Sequence, residues 1–137
     1  MAYWLMKSEP DTFSWDDLVR KGRTDWDGVR NHQAANNLRA MKKGDRAFFY
    51  HSNEGLAVVG VMAVARAHYP DPSDDTGKWV AVEMVPVMPV KRPVTLAEIK
   101  AEPRLQHLLL VRHSRLSVSP VDNDAWKLIC GMAGIKV

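Results

Sequence analysis

"TDWDGVRNHQAANNLRAMKKGDRAFFYHS", residues 24–52, sets a short helix directly against an aromatic strand. Residues 33–43 predict the helix. Ala35, Leu38 and Met41 recur at spacing three on one face, Lys42 and Lys43 fall in the last turn, and Gly44 is placed to stop it. Residues 46–52, RAFFYHS, predict a strand rich in residues that suit a sheet. Ahead of the helix, Trp26, Asp27, Arg30, Asn31 and His32 crowd into one turn with Gly28. The rest of the chain repeats this mixture of short elements.

Residues 3–7 predict a first strand, and residues 14–20 a short helix with Ser14 as N-cap and Asp17 three positions on. Residues 56–68 form a long apolar run with Gly60 inside it, which predicts a strand with a bend or bulge. Residues 69–78, YPDPSDDTGK, read as a long hairpin-type connection into a strand over 78–87, whose end Pro86, Pro89 and Pro93 should break. Thr95 and Glu98 make a capping box for a helix over 95–101. Residues 122–132 predict a last helix with Trp126, Ile129 and Cys130 on its apolar side. No βαβαβ rhythm with long crossover helices occurs, which disfavours a doubly wound sheet. The expectation is an α+β fold: a small mixed β-barrel with short peripheral helices.

The length, 137 residues, predicts one domain over 1–137. A chain of this size buries roughly two thirds of its unfolded surface, enough for a core without staples. No apolar run approaches the ~20 residues of a membrane span. The N-terminus, MAYWLMKSEP, has none of the three parts of a signal peptide. The one cysteine, Cys130, cannot form an internal disulfide, and a reducing, cytoplasmic setting is expected. Its place on an apolar helix face predicts a packed thiol rather than a reactive one.

Several chemistries lack their residues. His32, His51, His68, His107 and His113 have no partner cysteine and no helical His-x-x-x-His spacing, so no metal site is expected. Glycine-rich nucleotide loops and the Gly-x-Ser-x-Gly elbow are absent, so no cofactor is expected. His51 and Ser52 are neighbours on a strand and point to opposite faces, so they cannot act as base and nucleophile.

What remains is polar groups at the ends of elements, where ligand sites collect: KSEP (7–10), WDGVRN (26–31), YHS (50–52) and RLSV (115–118). The net charge of +3 is mild, but residues 103–121 hold no acid while Arg104, His107, Arg112, His113 and Arg115 fall there, as in a phosphate-binding stripe or a solvated basic face. Each group also has an ordinary explanation. Trp26 could be core, Asn31 an N-cap, Tyr50 and His51 buried sheet residues, and Arg115 half of a surface ion pair.

The motifs YWLMKSEP, WDGVRNHQAANNLRAMKKGD, FFYHSN, VTLAEIKA and RLSVSPV, in that order over about residues 3–133, resemble the EVE domain family. That family is similar in fold to PUA-like domains and related to YTH domains. The resemblance implies a non-enzymatic pocket for a flipped, modified base, of cytosine type, in DNA or RNA. The residues suit such a pocket. Trp26 leads as the stacking wall, with Tyr50 and Trp79 as further aromatics. Ser8, Asn31, His51 and Ser52 offer donors and acceptors to a base edge. Lys7, Arg30 and Arg115, with the helix start at Asn31, suit phosphates. Two other readings compete: a small enzyme working on a nucleotide-like anion through His51 and Arg115, and a small-anion or metabolite sensor. DNA versus RNA, strandedness, the modification and the oligomeric state stay open.

Overall fold

Strands buried on both faces organise the molecule. The computed structural model describes residues 1–136. In chain order it has β1 (Tyr3–Ser8), α1 (Trp15–Lys21), β2 (Thr24–Trp26), α2 (His32–Ala40), β3 (Arg46–His51), β4 (Ala57–Pro70), β5 (Val80–Thr95), α3 (Leu96–Ala101), α4 (Leu109–Arg112), β6 (Val118–Val121) and α5 (Asn123–Ala133), with a 3-10 turn at Pro103–Leu105. Side chains of successive strand residues point to opposite faces. Trp4, Met6, Ala47 and Phe49 therefore join α1 and α2 in one apolar core. Leu5, Phe48 and Tyr50 join α3 and α5 in a second. The run AFFY is apolar throughout because both of its faces are covered.

The sheet has six strands in the order β2-β5-β4-β3-β1-β6. Its β1–β3 pairing is parallel, and the other four are antiparallel. The α+β expectation holds, but the barrel does not close: β2 and β6 are the two edges of the ladder. They pair over only three and four residues, too little to seal a cylinder. Register shifts along β4 and β5, which run for 14 and 16 residues, bend the sheet instead.

Gly60 marks one of those shifts, as its place in the run suggested. A Cβ there would come within 2.5 Å of the Trp15 indole. The absence of a side chain is what lets α1 seat on the sheet.

Two expectations are corrected. Strand β5 does not stop at its prolines but continues through Pro86, Pro89 and Pro93 to Thr95. Its second edge is paired with β2 only over Val82–Met84, so beyond that point a missing N–H on that edge breaks no ladder bond. Helix α2 ends at Ala40, leaving Lys42 and Lys43 outside it. The buried Asp45 carboxylate draws the chain into a turn there, accepting from the N–H of Lys42 and Ala2 and from Trp4 Nε1–H. The two capping boxes, Ser14 with Asp17 and Thr95 with Glu98, form as expected. Asn31 caps α2, and Cys130 packs in the second core, where burial pushes its thiol up to about 11. The segments β2, α4 and β6 were not foreseen; each is four residues or fewer.

Candidate functional site

The ends of β1 and β3 and the turn from β2 into α2 meet at one side of the sheet. The parallel pairing sets Lys7 beside Tyr50 and Ser8 beside His51. The Ser52 N–H donates to the Ser8 carbonyl at 2.9 Å, and Lys7 N–H donates to the Ser117 carbonyl at 2.9 Å, which ties three of the four polar runs together.

A recess of about 450 Å³ opens here, lined by Lys7, Ser8, Glu9, Asp25, Trp26 and Asp27 among others. Trp26 is its aromatic wall. The indole is 8% exposed and stands edge-on to Phe49, with ring centroids 5.5 Å apart. Its N–H has no hydrogen-bond partner among the described residues. Ser8 Oγ donates to the Phe13 carbonyl, which folds the segment after β1 against the recess. Glu9 and Asp27 present carboxylates without side-chain partners among the described residues. Asp25 accepts from Tyr69 Oη and Arg23, and the Tyr69 bond is the first of the influences that hold its pKa below the usual carboxylate value.

A second recess, about 620 Å³, adjoins the first through Lys7 and Glu9. Tyr50, Ser52, Asn53, Leu56, Leu110 and Arg115 are among its walls. Burial pushes the Tyr50 phenol up to about 12, so it stays protonated. Lys7 Nζ donates to the Ser114 carbonyl at 2.7 Å, and burial lowers its pKa. Arg115 also lines a third, shallower recess of about 410 Å³ with Asn31, Gln33, Arg112 and His113. Among the described residues, the Arg112, His113 and Arg115 side chains have no ion-pair partner. The basic segment is thus free in its second half only. Arg104 pairs with Glu102, and His107 with Asp122, both acids lying just outside the acid-free stretch.

The structure therefore brings Lys7, Ser8, Trp26, Asn31, Tyr50, Ser52 and Arg115 around one connected set of recesses. Asn31 is engaged in capping α2, and three other candidates are occupied with holding that set in place. His51 Nε2 accepts from the Trp15 N–H at 3.1 Å, at the start of α1, and burial lowers its pKa. An accepting Nε2 leaves the neutral ring's proton on Nδ1. Arg30 donates to the Asp71 carboxylate at 2.9 Å and to Ser73. Trp79 packs beside His32 and under Arg30, with centroid distances of 5.0 and 5.6 Å, and belongs to the loop that carries Asp71.

Asp71 clasps the 26–31 turn. It receives the Gly28 N–H and Arg30 Nη1 on one oxygen and Ser73 on the other. Burial raises its pKa, but the bonds from Ser73, Arg30 and Gly28 outweigh that and bring it down to about 2. Gly28, at φ +73°, takes the left-handed conformation this turn requires. Glu9, Asp27 and Asp71 were not among the expected site residues. Glu9 and Asp27 lie inside motifs the sequence singled out, whereas Asp71 sits 43 positions from Gly28 and has no local signature.

The EVE domain family model matches residues 2–132. Human thymocyte nuclear protein 1 is 36% identical over 165 residues, covering 96% of this chain and 73% of that protein. A crystal structure of the human THYN1 protein in complex with 5-methylcytosine-containing DNA is 33% identical, covers 100% of both chains and gives a TM-score of 0.92. Rpa0253 from Rhodopseudomonas palustris is 54% identical, covering 98% of this chain and 94% of its own, with a TM-score of 0.93. The YTH domain of Zygosaccharomyces rouxii MRB1 shares the fold alone, at 14% identity and a TM-score of 0.59 over 99% of this chain and 88% of its own.

Proposed function

The chain belongs to the EVE domain family, and on that premise we propose that it is a nucleic-acid-binding module that reads a modified base, of cytosine type, without catalysing a reaction. The observation that carries this reading is the recess walled by Trp26 and edged by Glu9, Asp27 and Lys7. A base drawn out of its stack loses a few kcal/mol, and an aromatic platform returns about 1–3 kcal/mol. A free carboxylate accepts from the exocyclic amine of cytosine and offers nothing to the carbonyl that thymine carries there. Glu9 and Asp27 therefore favour an amino-bearing pyrimidine. Lys7 and Arg115 supply cations for the flanking phosphates. The relative solved with 5-methylcytosine-containing DNA supports the same class of ligand.

Recognition without chemistry fits the state of His51. Its Nε2 is taken by a backbone N–H, and among the described residues no hydroxyl or thiol hydrogen-bonds to it. No helix is long and apolar enough to cross a membrane among the described residues. The single buried cysteine supports a cytoplasmic setting.

Fluorescence anisotropy on short DNA and RNA oligomers tests the reading. Each would carry one cytosine, 5-methylcytosine, 5-hydroxymethylcytosine or thymine at the same position. A modified cytosine should bind tightest, and Asp27→Asn should narrow its advantage over thymine. Equal affinity for all four bases would refute the proposal.

A further inference from the structure

The second recess lies beside the one assigned to the flipped base and shares Lys7 and Glu9 with it. Its lining combines Tyr50 with Leu56, Leu96 and Leu110, and its polar members include Glu9, Ser52, Asn53 and Arg115. Leu56 is 41% exposed, one of only four large apolar side chains that open to solvent among the described residues. It stands in the β3–β4 loop, where Asn53 is the one non-glycine residue with a left-handed backbone among them, at φ +72°. Asn takes this conformation readily and a lone exposed leucine is ordinary, so what bears on a ligand is that both residues line the recess.

Lys7 links this recess to the first. It lines both, and the Ser114 carbonyl takes only one of its three donors. A cation lining both recesses is placed to meet a phosphodiester that joins a base in one to its neighbour in the other. Arg115 lines the second recess and not the first.

We propose that the 620 Å³ recess is a second nucleotide subsite, which takes the base adjacent to the modified one and stacks it against Leu56. The inference rests on the base-reading function of the first recess and adds to it that the ligand is a dinucleotide step. Nonspecific charge does not require this. Apolar contact with a base face is tolerant of sequence, so the subsite demands the presence of a neighbouring base more than its identity.

The test uses single-stranded oligomers with one 5-methylcytosine and an abasic residue placed immediately 5′ or immediately 3′ of it. The abasic residue keeps the phosphates and removes only the neighbouring base. Wild-type protein should lose about tenfold in affinity for the abasic oligomer on one side and little on the other. Leu56→Ser, at an exposed position, should lose a similar factor on the intact oligomer and almost nothing more on the abasic one. Selective binding of 5-methylcytosine with indifference to both abasic positions would overturn the subsite and leave the parent reading standing. Failure to prefer 5-methylcytosine in any oligomer would overturn both.

Discussion

Trp26 is a buried member of the first core, 8% exposed, so any wall it offers the recess is fixed in place. A platform fixed edge-on against Phe49 spends little entropy when a base stacks on it. Trp26→Ala should weaken modified-base binding by about 1–3 kcal/mol in an anisotropy titration, whereas Trp26→Phe should retain part of it. Asp71 acts one step back, holding the turn that presents the wall. Its carboxyl titrates at about 2 when folded, below its ordinary 3.8. The native state thus binds its proton less readily than the unfolded chain. The stability this contributes, about 2 kcal/mol, is present above pH 4 and disappears as the pH falls toward 2. Denaturation of Asp71→Asn should therefore show a loss relative to wild type at pH 7 that shrinks at pH 2–3. WDGVRN made the turn legible as a cluster of polar groups with a lone indole ahead of a helix. Asp71 was illegible because its partners lie 41 and 43 positions away.

Among the elements, legibility followed length and local chemistry. Both capping boxes could be read because their bonds span three residues. Helix α2 ends short of its lysines because Asp45 takes the Lys42 N–H, and that carboxylate is held by Ala2 and Trp4 through contacts that no helical spacing reveals. The prolines of β5 read as breakers in the sequence because whether a strand edge is paired is a property of the sheet, not of the segment. Gly60 was placed as a bend, but its stronger reason, the Trp15 ring lying against it, belongs to the tertiary structure. Gly60→Ala should cost about 1–3 kcal/mol by urea denaturation, since the indole cannot give way without unseating α1 from Phe49. His51 should matter for the same element. Losing the acceptor for the Trp15 N–H through His51→Leu should destabilise the fold by about 1 kcal/mol or more.

For the molecule as a whole, a sheet with both faces covered leaves ligand space at its strand ends, and the loops there carry most of the polar groups that the sequence left without a structural role. Net charge of +3 is too small to confer strong nonspecific affinity, so binding should depend on a few local cations. Arg115→Ala should lower the slope of log affinity against log salt by about 0.7–0.9, one phosphate contact, without changing the preferred base. Arg104→Ala, at a residue already paired with Glu102, should leave the slope unchanged.

The most direct measurement is an amide and indole NMR titration with a short DNA oligomer that carries one 5-methylcytosine. Shifts confined to Lys7, Ser8, Asp27, the Trp26 indole N–H and the 114–117 segment are expected, with the unmodified oligomer moving them less at equal concentration. Shifts centred on α5 and β5, or identical responses to both oligomers, would contradict a base-reading site at the 26–31 turn.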